Sequence, residues 1–302
     1  MLKLAHLVNP VKVTKSHELY AAQPITFASM LNAKNFTKNI AIEIVLASTQ
    51  YPEDKEIIPD HIRQLSNLNR SVADCNPKVS GRKLPLLKDI LNKSKEIENV
   101  DYIIYTNVDI GLMPYFYDAV ANYIKKGNDA IIINKRRLTS NFNRVDQLPE
   151  IYANLGMSHP GFDCFVFKAD LLEKLLLDDI CVGVPFSGVS LLHNLVALSE
   201  NLLILTDSHL TFHIGMNVLG FKKDAYYQHN KAVFFKNIHP NLKSNYDLKK
   251  FPYGTESILK RSLKWVLNPS IFATDYLALS GKSSLQKMKL KLDEMRWRIL
   301  QR

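Results

Sequence analysis

The chain has 302 residues, 46% of them hydrophobic and 23% charged, a globular balance long enough for one large α/β domain with a short appendage or for two small domains. Its formal charge of +10 is uneven: residues 255–302 hold ten Lys/Arg against four Asp/Glu, which leaves only +4 for residues 1–254. Three cysteines without a C-x-x-C pair exclude a disulfide framework and a cysteine zinc site, no apolar run approaches the ~20 residues of a membrane span, and the apolar run within residues 1–10 is too short for a signal peptide. The expected compartment is the cytoplasm.

Short β-rich runs alternate with longer amphipathic stretches. Residues 4–8 read as a first strand that stops at Asn9-Pro10, because proline cannot continue a central ladder. A helix is expected over 18–34, with Pro24 beginning or kinking it, and a strand over 40–46. Helices are expected over 59–72 and over 84–97, the latter from Leu84, Leu87 and Leu91 at helical spacing with Pro85 in the first turn. Residues 102–105 are a buried-strand pattern, followed by a turn at 109–111 and a helix from Pro114 to Lys126. Strands over 130–133 and 162–167 flank a long polar loop, 135–160; helices over 168–177 and 188–201 and strands over 202–205 and 209–212 follow. This alternation predicts a mainly parallel, helix-covered sheet, and residues beyond 254 read as a helical appendage.

Several chemistries lack their motifs. There is no G-x-G-x-x-G fingerprint, no phosphate loop, no G-x-S-x-G elbow and no recognisable nucleic-acid module, so no nucleic-acid partner is expected. The informative stretch is Asp101 to Phe116. Asn107 and Asp109 lie two apart at the carboxyl end of a strand, where open α/β sheets bind ligands, and that spacing points both side chains to one face. Two such oxygen donors suit a hard divalent cation bridging a diphosphate; alternatively Asp109 caps the turn before the Pro114 helix. Asp163 sits in an apolar run, where an unpaired carboxylate is costly to bury, so it either faces a polar cleft or accepts backbone hydrogen bonds. His209 and His213 are ~13 Å apart on a strand and do not share an ion; His213, at the strand end, is the candidate ligand. Arg82-Lys83 either neutralise a diphosphate or form a solvated helix start. Lys135-Arg136-Arg137 open the long loop as a lid over a donor or as plain surface. In the tail, Leu285, Met288, Leu292, Met295 and Ile299 repeat at helical spacing among basic residues. That pattern fits a helix on an anionic membrane surface, or one docked on its own domain or a partner.

A strand followed by Asn107-Val108-Asp109-Ile110 and Pro114-x-Phe116 resembles the metal-binding Asp-x-Asp segment of GT-A-fold nucleotide-sugar glycosyltransferases. The resemblance extends over about residues 3–215 and takes in Asn9-Pro10-Val11-Lys12, Gly81-Arg82-Lys83-Leu84-Pro85, the segment Gly161–Phe167 and the run His209–Gly215. It implies a GT-A-like α/β domain over 1–254 with a basic helical appendage over 255–302. It further implies transfer of a sugar from a nucleoside-diphosphate donor to a hydroxyl-bearing glycan or lipid-linked acceptor. In that reading Asn9, Arg82, Asn107 and Asp109 contact the donor; Asn107, Asp109 and His213 hold Mn²⁺ or Mg²⁺; and Asp163 acts as acceptor base, or as acceptor anchor in a retaining enzyme. The tail would touch the inner face of the membrane. Asn107 departs from the motif: an amide oxygen ligates a cation without adding charge, which weakens the site and leaves room for a metal-independent enzyme. It also leaves room for a non-catalytic nucleotide-sugar-binding or membrane-associated protein. A nucleotidyltransferase is the nearest enzymatic rival, but the Gly-rich first loop expected of one is missing.

Overall fold

The computed structural model describes residues 1–38, 41–138, 140–214, 224–252, 254–257, 259–260 and 263. The amphipathic tail segment 285–299 and most of the appendage lie outside the described residues.

Strand β1 (Leu2–Val8) ends at Asn9-Pro10 as expected and leads through helix α1 (Leu19–Phe36) to β2 (Ile42–Ser48), which lies parallel to it. Pro24 sits inside α1 rather than ending it. The short strand β3 (Arg63–Gln64) extends the sheet beyond β2. After the helices α2 (Val72–Cys75) and α3 (Leu87–Asn92), β4 (Tyr102–Thr106) returns to the other side of β1, again parallel. The order of connection therefore reverses at β1. In an open α/β sheet the crevice outside the carboxyl ends of strands at such a switch point is where ligands bind.

Strand β5 (Ile110–Leu112) and helix α4 (Phe116–Lys125) follow β4 directly. Next come β6 (Ala130–Arg137), α5 (Leu148–Ala153) and β7 (Met157–Lys168), which inserts antiparallel between β4 and β6. Helix α6 (Ser187–Leu198) precedes β8 (Leu202–Leu205) and β9 (Thr211–His213), both parallel to β6; β9 also pairs antiparallel with β5. Among the described residues the sheet runs β3-β2-β1-β4-β7-β6-β9-β5, with β8 also on β6. It is mixed and mostly parallel, the α/β class expected. Beyond it lie α7 (Ala225–Val233), a π-helical turn Phe234–Ile238 and α8 (His239–Leu242).

Both sheet faces are covered, which explains why the strands read as continuous apolar runs. The two-residue period sorts them cleanly. Ala5, Leu7, Ile103, Tyr105, Ile132, Phe165 and Phe167 face one core with Leu191 and Leu195 of α6. Leu4, Val8, Ile104, Ile131, Ile133 and Val166 face the other, against Phe27 and Met30 of α1 and Phe116 and Tyr117 of α4.

Four expected elements differ. No helix forms over 59–72. Ile62, Leu65 and Leu68 are buried, but the backbone runs extended because Leu65 N–H donates to Ser48 O and Leu68 N–H to Gln50 O. The helix over 84–97 is reduced to α3 and the 3-10 turn Lys93–Glu96. Residues 84–86 are instead held by Val72 N–H on Leu84 O, Val182 N–H on Pro85 O and the Leu86–Cys181 bridge. Residues 169–174 form a 3-10 turn in place of the helix over 168–177. The polar loop 135–160 is shorter than expected, because its basic start belongs to β6 and its end to β7.

Candidate functional site

The carboxyl ends of β1, β2 and β4 open on one rim. Asn9 ties two of them together, its amide donating to Thr49 O at 2.6 Å. The loop after Asn9 is clamped by the buried Gln23 of α1, which bonds both Val11 N–H (2.9 Å) and Val11 O (2.8 Å). Lys12 N–H donates to Asp54 Oδ1 at 2.7 Å; burial pushes the Asp54 carboxyl up, against the pull of that bond. Asn9 is thus on the predicted rim, one strand away from the motif residues.

The motif strand is anchored from below. His6, fully buried on β1, bridges Tyr117 Oη (2.8 Å) and Thr106 Oγ1 (2.9 Å), and burial drives its imidazole down to about 3, so it is neutral. Beyond Thr106 the chain turns sharply, with Ile110 N–H on Asn107 O, and β5 starts at once against β9. Gly111 permits that approach: a Cβ there would stand 2.3 Å from the Phe212 ring. Because Ile110 pairs with His213 and Ile214 N–H donates to Asp109 O, the Asp109 and His213 side chains meet, with Oδ2 and Nε2 3.1 Å apart. They are 26% and 11% exposed. Burial raises the Asp109 carboxyl, but its bond to His213 and the charges of His213 and Lys135 outweigh that and hold it below the ordinary carboxylate range. An ionised Asp109 only accepts, so Nε2 carries the donated proton. The buried Nδ1 has no hydrogen-bond partner among the described residues.

The second half of the site comes from β6 and β7. Their register shifts between Ile133 and Asn134, pairing Ile133 with Cys164 but Asn134 with Phe162, so Asp163 is the extra residue of a bulge. Bulges re-aim side chains, commonly beside functional sites. Asp163 Oδ1 accepts from the Asn107 amide at 3.1 Å, and Oδ2 lies 2.8 Å from Lys135 Nζ. Asn107 Oδ1 in turn accepts from Tyr105 Oη at 3.3 Å. Burial and the nearby Asp163 and Asp109 push the Tyr105 phenol well up, keeping it protonated as a donor.

The structure therefore joins four of the predicted residues in two pairs, Asn107 with Asp163 and Asp109 with His213. Tyr105 and Lys135, each acting electrostatically with Asp109, lie close to both pairs. Arg82 is engaged elsewhere: its guanidinium pairs with Asp224 at 2.8 Å and lies 4.3 Å over the Tyr226 ring. Lys83 likewise pairs with Glu53 and covers Tyr51. His209 lies apart from His213, its carbonyl accepting from Tyr115 Oη at 2.7 Å. Lys135-Arg136-Arg137 form no lid. They finish β6, with Arg136 paired to Asp207. Sequence reasoning placed Lys135 in a lid rather than beside Asp163 and missed Tyr105 as a site residue; the one signal was a charged run continuing an apolar strand without a break.

Neighbouring ligands of an octahedral Mg²⁺-like cation at ~2.1 Å stand roughly 3.0 Å apart, and Asp109 Oδ2 and His213 Nε2 match that separation. These are the two side chains that would hold a divalent cation at this rim. Among the described residues no three His, Cys, Asp or Glu side chains gather as a protein-only metal cage. His213 offers a lone pair at Nε2 only in its other tautomer, with the proton on Nδ1.

No protein-family description matches the chain, and no curated protein matches it. Solved structures are similar to it. A crystal structure of residues 1–349 of S. aureus TarS in complex with UDP-GlcNAc matches 99% of this chain and 90% of that one at 10% identity, with a TM-score of 0.47. The same protein in complex with UDP gives 11% identity, the same coverage and a TM-score of 0.46. The 4-diphosphocytidyl-2C-methyl-D-erythritol synthase from Anaerococcus prevotii covers 69% of this chain and 90% of its own at 11% identity, with a TM-score of 0.37. The similarity is one of backbone shape alone. At these identities and scores it carries no weight for activity, and the functional reading rests on the site itself. No helix among the described residues is long and apolar enough to cross a membrane.

Proposed function

We propose that this protein transfers a sugar from a nucleoside-diphosphate donor to a hydroxyl acceptor at the rim formed by Asn9, Asn107, Asp109, Asp163 and His213. The observation that carries this reading is the pairing of two carboxylates in distinct surroundings. Asp109 sits against His213 at cation-ligand spacing, and Asp163 sits between an amide and an ammonium. The first suits the diphosphate end of a donor, the second the incoming hydroxyl.

In this mechanism the nucleoside lies over the Asn9–Lys12 loop at the switch point beside β1. Asp109 and His213 would hold Mn²⁺ or Mg²⁺, which when bound would supply positive charge beside the departing diphosphate. Each Asp163 oxygen retains acceptor capacity beyond its one present partner. Its carboxylate takes the proton of the acceptor hydroxyl as that oxygen bonds to the anomeric carbon and the bond from that carbon to the diphosphate oxygen breaks. In a retaining reaction the same carboxylate orients the hydroxyl instead. Arg82 reaches a donor only by leaving Asp224. The acceptor is a hydroxyl-bearing glycan or a lipid-linked one; the basic amphipathic pattern of residues 285–299 supports the second, with the tail touching the inner face of a membrane, unless that segment docks on its own domain or a partner.

A screen of nucleoside-diphosphate sugars for binding and slow hydrolysis identifies the donor. With that donor, Asp163→Asn is expected to keep binding within about two-fold while lowering transfer by ~10²–10⁴-fold. Equal loss of both places Asp163 on the donor side. Donor binding by the wild type without hydrolysis or transfer to any glycan acceptor favours a non-catalytic binding protein.

A further inference from the structure

Resting on that reading, we infer that Lys135 and Asn107 are positioning residues for Asp163, and that Asn107 gives its amide N–H to this carboxylate in place of lending its oxygen to a cation. Asp163 stands on a bulge, where backbone pairing alone does not fix its direction. Two side chains from two other strands fix it: Lys135 of β6 at Oδ2 and Asn107, just past β4, at Oδ1. Lys135 and Asp163 are only 15% and 18% exposed. A pair so far withdrawn from water holds its geometry, and losing one partner strands a poorly solvated charge.

The same contacts account for an amide where the motif has a carboxylate. Asn107 Nδ2 is 3.1 Å from an Asp163 oxygen that can only accept, and Oδ1 faces the Tyr105 hydroxyl, so the amide's orientation follows from its partners. An aspartate at 107 would set two carboxylates at about 3 Å, a like-charge contact that one of them must relieve by turning away or taking a proton. The amide instead links the motif turn to the acceptor-side carboxylate. Lys135 completes the arrangement without itself touching donor or acceptor.

The test measures kcat and KM for the identified donor, together with nucleoside-diphosphate affinity by calorimetry and Mn²⁺ affinity by electron paramagnetic resonance. Lys135→Met is expected to lower kcat ~100-fold, the scale of a misplaced reacting group, with donor KM and nucleoside-diphosphate affinity within about two-fold. Lys135→Arg, which keeps the charge, is expected to recover most of the loss. Asn107→Asp is expected to lower kcat comparably without tightening Mn²⁺ binding. Should Lys135→Met fail to fold, Asn107→Ser carries the test, with the same kcat loss and unchanged affinity. Unchanged kcat in Lys135→Met overturns the positioning role alone. Nucleoside-diphosphate affinity falling in step with kcat makes Lys135 a phosphate-binding residue. A ~10-fold gain in Mn²⁺ affinity in Asn107→Asp makes position 107 a metal ligand. A wild type that binds no nucleoside diphosphate overturns the parent reading, and this inference with it.

Discussion

His213 and His193 show how one residue type takes opposite roles in a single chain. His213, on β9, lies against an ionised carboxylate at the sheet rim, in a contact set by the β5–β9 ladder. His193, on α6, is fully buried in an aromatic cage. Its Nδ1 is 2.7 Å from Tyr246 Oη and its ring centre 5.0 Å from those of Phe234 and Phe251. Burial, with a smaller push from His239, drives His193 down to about 3, so it is a neutral packing group. His6 beneath the motif strand is of the same neutral kind. What separates ligand candidate from core residue is the partner, and partners are invisible in a linear sequence.

The sharpest way to break this contrast is to truncate each histidine. His193→Ala opens a large cavity among aromatic rings and is expected to cost about 3 kcal/mol of unfolding free energy, with nucleoside-diphosphate affinity unchanged in the folded protein. His213→Ala, which removes a partner of a partly exposed carboxylate, is expected to cost less in urea unfolding than His193→Ala while removing the Mn²⁺-dependent part of nucleotide binding. The reverse pattern would exchange their roles.

A smaller effect comes from pH. His6 and His193 have native values lowered to about 3, so below about 6.5 the unfolded chain binds protons that the native one does not. Their contribution to stability is complete above that value and falls as pH drops. Between pH 7.5 and 5 each is expected to lose about 2 kcal/mol, and His193→Phe is expected to flatten the urea-derived stability profile by one such share. A profile equally steep in the variant contradicts neutral burial of His193.

The smallest expected change is at Gly111. Gly111→Ala drives a methyl into the Phe212 ring and is expected to cost at least about 1 kcal/mol, spreading β5 from β9 and weakening the Asp109–His213 contact. Phe212→Leu in the same chain is expected to restore part of both the stability and the Mn²⁺ response.

Much of the fold was legible in the sequence because buried strands leave continuous apolar runs. The runs behind β1, β4 and β8 were found close to their true limits. The segment 59–72 forms no helix because the amides of Leu65 and Leu68 are claimed by Ser48 O and Gln50 O, partners distant in sequence. The far half of the β6–β7 hairpin was hidden by its charge, since Lys135, Arg136 and Arg137 read as loop. In the site, the two-residue spacing of Asn107 and Asp109 and the odd carboxylate at Asp163 were visible. Their partners were not: His213 is 104 residues from Asp109 and Asp163 is 56 from Asn107, and only the sheet order brings them together. Arg82 looked available to a phosphate because Asp224, its partner, lies 142 residues away.

The most direct test is thermal unfolding of the wild type and of Asp109→Ala with nucleoside diphosphates, each with and without Mn²⁺. Ligand at about 100 times its dissociation constant adds ~2.7 kcal/mol, so Tm of the wild type should rise with one of the bases and rise further with Mn²⁺. Asp109→Ala should lose the Mn²⁺-dependent part. No rise with any common base, or a Mn²⁺-dependent rise that survives in Asp109→Ala, contradicts a diphosphate site at this rim.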